Sequence, residues 1–219
     1  MKALGDLIKH WLSDHGMKNK NVVLSSSVVN AAEKDFANPE LYEAEEAREV
    51  VLRVNRAVRL IAEKGEAAFA ELRQAPWYDG ERYIFVMGLQ GVGKVNPPAP
   101  QLEGVNGLEL KDSWGTQMIK QYLDDLNLRQ QNSTWVHYFG INPTNLQEEW
   151  KSSFVMKAMA PDGSGYAVGS GVYNMKLERA LVGDELKDAC EMIEKNGAAA
   201  LEQLKTKDYF RDTLCLFDK

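Results

Sequence analysis

From residue 39 onward the apolar positions recur at threes and fours. Val51, Val54, Val58 and Ile61 form one stripe, while Glu43, Glu45, Glu46 and Arg48 fall off it. The stripe predicts a helix of about 25 residues. Asn38-Pro39-Glu40 reads as its start, with Asn as the cap and Pro at the first helical position. Gly65 ends or interrupts it, and Glu66 to Arg73 reads as a short helix behind. Beyond Asp79-Gly80 the period shortens to two. Arg82 to Met87 is a strand whose alternation puts Tyr83, Phe85 and Met87 on one face and Ile84 and Val86 on the other. Gly88 to Gly93 is a turn, followed by the stiff Pro97-Pro98-Ala99-Pro100. Trp114 to Leu126 is helical again. Thr134 to Gly140, Ser152 to Ala160 and Tyr166 to Tyr173 are strands, with a hairpin turn at Pro161-Asp162-Gly163. Upstream, residues 3–15 form an amphipathic helix with Leu4, Leu7, Ile8 and Trp11 on one stripe, and Val22 to Val29 is an apolar-and-serine run of either type. The sum is an α+β fold, an antiparallel sheet with helices to one side, and not a doubly wound α/β fold.

The chain also repeats itself. Leu60-Ile61, Gly65-Glu-Ala-Ala-Phe69 and Leu72-Arg73 return as Met192-Ile193, Gly197-Ala-Ala-Ala-Leu201 and Leu204-Lys205 at a constant offset of 132. With a two-residue deletion, Arg82 to Met87 then aligns with Asp212 to Phe217. A helix, glycine, helix and strand opening thus occurs twice. The expected organisation is an N-terminal helical or irregular segment at 1–38, a central domain at 39–174, and the start of a second module at 175–219.

Composition narrows the function classes. The chain has 219 residues, 44% of them apolar, with 26 Lys and Arg against 32 Asp and Glu, giving a net charge of −6. That is globular composition, and its acidity argues against generic nucleic-acid binding, which draws on clustered cations. No apolar run approaches the roughly 18 residues of a membrane span. The start lacks a secretory signal's apolar core because Asp6, Lys9, His10 and Asp14 interrupt it, so read as it stands the chain would stay in the cytoplasm. Cys190 and Cys215 fit no CxxC or Cys/His spacing and read as small buried residues. His10, His15 and His137 make no metal-binding pattern, and no cofactor is implied.

The candidate catalytic motifs fail on chemistry. Gly88 to Lys94 satisfies G-x-x-x-x-G-K, but Val95 stands where a P-loop holds Mg²⁺ with Ser or Thr, and Asn96-Pro97-Pro98 cannot continue as a helix. A turn between two strands explains these glycines. Asp124-Asp125 and Glu148-Glu149 are sequence neighbours and read as solvated faces. Asn132-Ser133-Thr134 matches a glycosylation sequon and reads as a turn. Gly169-Ser170-Gly171 lacks the nucleophile elbow, and no histidine follows it. The reading is a non-enzyme.

An ordered set of pieces across roughly residues 55–174 resembles the Cache family of PAS-like sensor domains, and its single-module branch most. The pieces are Ala62 to Phe69, Tyr83 to Val86, Asn96-Pro97, Pro100 to Gly104 with Asn106, Leu110-Lys-Asp112, Gly115, Trp135 with Tyr138 and Pro143, Lys151 to Val155, and Val168 to Tyr173. The resemblance implies a PAS-like antiparallel sheet, a long N-terminal helix, short flanking helices, and a pocket between the sheet and its connecting loops. It implies an extracytoplasmic sensor that binds a small organic acid, amino acid or similar metabolite and reports through its terminal helices. It favours Tyr83 and Phe85 on the pocket side. Asn96 enters the stiff proline loop, and Trp114, Tyr138 and Tyr173 supply aromatic walls with polar tips. An anionic ligand needs a cation, for which Lys151 is the first candidate and Lys111 the second; otherwise Lys151 is a solvent-exposed strand-edge residue. The alternative function is an interaction module that homodimerises through the stripe of the long helix without a ligand.

Overall fold

The computed structural model describes residues 36–128, 131–176 and 178–200. Among them five strands form one antiparallel sheet: β1 (Phe85–Gly88), β2 (Gly93–Val95), β3 (Ser133–Ile141), β4 (Glu148–Met159) and β5 (Gly165–Tyr173). Their spatial order is β2-β1-β5-β4-β3. The helices are α1 (Glu45–Lys64), α2 (Ala68–Leu72), α3 (Met118–Asn127) and α4 (Arg179–Asn196). This is the PAS-like α+β arrangement expected above, and the elements lie within a few residues of the predicted ones. The expected helix at 3–15, the run at 22–29, and the second module's strand at 212–217 fall outside the described residues.

Side-chain alternation divides the sheet into two apolar faces. Val86, Trp135, Phe154 and Val168 point to one, where they pack against Val50, Val51, Val54, Ala57 and Ile61 of α1. Phe85, Val136, Val155 and Ala167 point to the other, where Tyr122, Leu123 and Leu126 of α3 cover them. The helices therefore flank the sheet on both faces and not on one side, because both faces are apolar and each must be covered. Of the stripe on α1, Val51, Val54 and Ile61 are wholly buried against the sheet and Val58 is partly buried against the same cluster.

The long helix starts later than Asn38-Pro39 suggests. Asn38 does cap, with its Oδ1 accepting from Glu40 N–H at 3.0 Å, but the turn it opens is a short 3-10 turn at Pro39–Leu41. Tyr42 then leaves helical geometry because its side chain is drawn into the core. Its ring lies 5.6 Å from that of Trp135, and its hydroxyl accepts from Trp135 Nε1 at 2.9 Å and donates to the Phe36 carbonyl at 2.8 Å. The first N–H groups around Ala44, which has no side-chain cap of its own, are met from far along the chain. The buried carboxylate of Glu178 accepts from Ala44 N–H at 2.6 Å and Glu43 N–H at 3.1 Å. Lys176 N–H returns a bond to Glu46 Oε1 at 3.0 Å. Glu178 is also the residue on which α4 begins. Charge-assisted bonds exceed neutral ones by a factor of about two, so Glu178→Gln should lower unfolding stability by about 1–2 kcal/mol in a urea titration. An unchanged midpoint would show that this joint contributes nothing.

The internal repeat has a structural counterpart up to Ala200. α1 ends on Gly65 at φ 59° and α4 on Gly197 at φ 57°, each N–H bonded to the carbonyl four residues back. The glycine run that mimics a P-loop is a β-hairpin: Gly88 N–H donates to Val92 O, and Gly91 sits at φ 88°, a conformation open to glycine.

Candidate ligand-binding site

The registers of β3, β4 and β5 put Tyr138, Lys151 and Tyr173 side by side in one row. All three point to the face covered by α3. Because β4 lies inside the sheet, Lys151 has a strand on either side and is 1% exposed; the strand-edge reading of this residue is overturned. Tyr83, just before β1, keeps the alternation of Phe85 and Met87 and reaches the same spot. Lys151 Nζ donates to Tyr83 Oη at 2.5 Å, and it lies 4.2 Å from the Tyr83 ring centroid and 4.8 Å from that of Tyr173. Tyr173 donates to the Ile141 carbonyl at 2.8 Å, so the 3.5 Å contact between the Tyr83 and Tyr173 hydroxyls is supplied by the Tyr83 proton. Every hydrogen in this chain of bonds points away from the lysine.

The electrostatics are one-sided. Among the described residues no carboxylate forms an ion pair with Lys151. Burial pulls its pKa below the ordinary lysine value, with Tyr138 acting the other way. Burial also raises Tyr83, Tyr138 and Tyr173, which keeps them neutral phenols near pH 7. A desolvated cation ringed by neutral aromatic hydroxyls has nothing to balance its charge.

Absent side chains make room for this group. A Cβ on Gly171 would stand 2.7 Å from Lys151 Cε and 2.5 Å from Ser153 Oγ, and one on Gly140 would lie 3.4 Å from Lys151 Cδ. Phe85 lies flat over Gly169. Ser170, between the two glycines but pointing to the opposite face, fixes the approach of Tyr83 by donating to its carbonyl at 2.7 Å. Ser153 shares a 3.1 Å bond with Tyr138 Oη. The Gly169-Ser170-Gly171 run stands out in the sequence, where it fails as a nucleophile elbow and falls within the Cache-like pieces.

Of the eight candidate residues, the structure joins Tyr83, Tyr138, Lys151 and Tyr173 directly. Phe85 lies on the same face, its ring 6.2 Å from that of Tyr122 on α3. The remaining three stand apart. Asn96 follows β2, the outermost strand, which is three strand spacings or roughly 14 Å from β4; its N–H donates to Glu103 Oε1 at 2.8 Å. Lys111 is exposed. Trp114 is 49% exposed and stacks on Phe139 at 5.1 Å, on a loop that Asp112 pins to β3 through Phe139 N–H.

Residues 39–210 match the sequence profile of the family described as the Cache domain. The chain belongs to the Cache family. No curated protein sequence matches it. Among solved structures, a methyl-accepting chemotaxis protein from Vibrio parahaemolyticus RIMD 2210633 is similar at 21% identity, covering 57% of this chain and 86% of that one, with a TM-score of 0.48. A periplasmic sensor domain of a chemotaxis protein is similar at 29% identity, covering 56% and 86%, with a TM-score of 0.45. A Cache chemosensory domain described for carboxylic acid recognition is similar at 22% identity, covering 59% and 93%, with a TM-score of 0.50, a likeness of fold. Cache domains are typically extracytoplasmic, and by membership this chain is a ligand-sensing module. No helix among the described residues is long and apolar enough to cross a membrane.

Proposed function

We propose that this Cache domain is the input module of an extracytoplasmic sensor and that Lys151 receives a small carboxylate. The observation that carries the reading is the buried Lys151 ammonium, unpaired with any described carboxylate and ringed by three neutral phenols. A carboxylate entering this site supplies the missing negative charge. It accepts from Lys151 Nζ and, by turning their protons, from the Tyr83 and Tyr173 hydroxyls. Phe85, Met87 and the apolar face of α3 lie on the same face of the sheet and offer apolar contacts for the rest of the ligand, which favours a short alkyl or keto acid over a polyol. The fold shared with a Cache domain that recognises carboxylic acids agrees with this class. Tyr173 ends β5 a few residues before Glu178, so a change at the site lies close to the joint between α1 and α4.

A thermal-shift screen of short carboxylates, amino acids and small amines tests the reading. Carboxylates should give a saturable rise, corresponding to about 2.7 kcal/mol at a hundredfold excess over Kd. Tyr83→Ala should weaken the response, whereas Lys111→Ala and Trp114→Ala, which alter side chains outside the cluster, should leave it unchanged. A rise confined to amines, or carboxylate binding that survives Lys151→Ala, would overturn the assignment.

A further inference from the structure

The β1–β5 ladder ends at Phe85 and Gly169, and the pairs that would follow in register, Ile84 with Ser170 and Tyr83 with Gly171, are not formed. Where the strands part, a cavity of about 190 Å³ opens on the α1 side of the sheet. Asn174 N–H bonds to Trp150 O, which fixes the alternation of β5. The backbone groups of Ser170 and Val172 then turn to β4, and those of Gly171 and Tyr173 turn away from it, along the edge that lines the cavity. Among the described residues no backbone bond outside the β4 ladder is made at this end of β5, which offers its strand-edge donors and acceptors to whatever enters.

The charged groups on the wall sort into committed and uncommitted. Glu46 accepts from Lys176 N–H, Glu81 from Asn142 and Thr144, and Arg82 is bonded to Asp79. Arg53 donates through one Nη to the carbonyls of Pro76 and Trp77 at 3.1 and 3.4 Å, which leaves Nε and the other Nη. Glu49 makes no hydrogen bond or ion pair among the described residues. Glu49 and Arg53 stand four apart on one helix, in the order at which such pairs ordinarily close, yet no ion pair joins them. An uncommitted acid and an uncommitted base face the same small space.

We infer that this cavity is a second binding site, separate from Lys151 and on the opposite face of the sheet, for a small α-amino acid. The ligand's carboxylate lies between Arg53 and the outward N–H groups of Gly171 and Tyr173, and its ammonium on Glu49. A space of about 190 Å³ holds several waters and so admits a small amino acid such as alanine. Val50 and Val172 supply the apolar contact for a short side chain. This inference does not rest on the Lys151 reading.

L-alanine and propionate are the probes, followed by NMR at the Gly171 amide and the Val50 and Val172 methyls. L-alanine should shift these signals saturably in the wild-type chain, in Lys151→Met, and in wild type already saturated with propionate. Glu49→Gln alters an exposed helical residue that makes no bond, so the fold is retained, and it should weaken L-alanine by about tenfold or more. Propionate, which has no ammonium, should leave the Val50 and Val172 methyls unmoved in Lys151→Met. Three results would each overturn the site: no saturable shift, a shift that disappears in Lys151→Met, or equal L-alanine affinity in Glu49→Gln. The first and third leave the Lys151 reading standing.

Discussion

Lys151→Met is expected to make the unliganded domain more stable while abolishing its response to carboxylates. In the unfolded chain the ammonium is fully hydrated; in the fold it is 1% exposed and has no anionic partner among the described residues. Methionine fills a similar length without that desolvation cost. The gain should be about 1–3 kcal/mol in urea, in line with replacements of other buried charged groups. The pH dependence follows. Burial lowers the folded-state pKa of Lys151 below the ordinary value of about 10.4. Below that folded pKa both states carry the proton and the full penalty applies; between it and the ordinary value the unfolded state binds more protons. Wild-type stability relative to Lys151→Met should therefore rise with pH through this window and level off above it. Lys151 in turn lowers the Tyr138 phenol, so the difference reports the coupled Lys151–Tyr138 pair. Carboxylate affinity should fall across the same window as the ammonium loses its charge. If Lys151→Met instead loses stability as a core truncation does, the bonds to Tyr83 are structural and the lysine is no receptor.

Gly169→Ala should destabilise the domain by about 2–3 kcal/mol, at the upper end of what an added methyl costs in a packed interior. A Cβ there would stand 2.2 Å from Phe85 Cζ and 2.6 Å from Cε2. The ring has little room to retreat, since Tyr122 and α3 lie beyond it. Gly169 is also held in the ladder on both sides, by Phe85 and Val155. Gly140→Ala is the contrasting case, with its nearest contacts at an ordinary 3.4 Å. It should cost less than about 1 kcal/mol and chiefly crowd Lys151 and Tyr138. Equal urea midpoints for the two variants would mean that Phe85 is not seated over Gly169.

The regular elements were legible because each carries its own period. Tyr83, Phe85 and Met87 alternate with Ile84 and Val86, and that alternation survives in the structure down to Tyr83 reaching Lys151. The false P-loop was legible too, since Val95 and Pro97 deny it metal and helix, and the hairpin at 88–93 bears this out. What a single sequence does not state is strand order. Lys151 was open to two readings because its burial depends on β4 lying between β3 and β5. The start of α1 was misplaced for a similar reason: Asn38 caps as expected, but Tyr42 and Glu178 act through partners 93 and 134 residues away. Asn96 and Lys111 were picked by residue type in loops, and Trp114 at the start of an expected helix that begins only at Met118; loop residues carry no periodicity to say which way they face.

The carboxylate of Glu178 holds the opening of α1 while its own residue opens α4, so two helices that begin far apart in the chain share one fastening. Hydrogen bonds of this kind are lost over a displacement of about an ångström, and a buried carboxylate without them is costly. Glu178 thus ties the start of α1 to the start of α4, and a shift of about an ångström between them would break both bonds together.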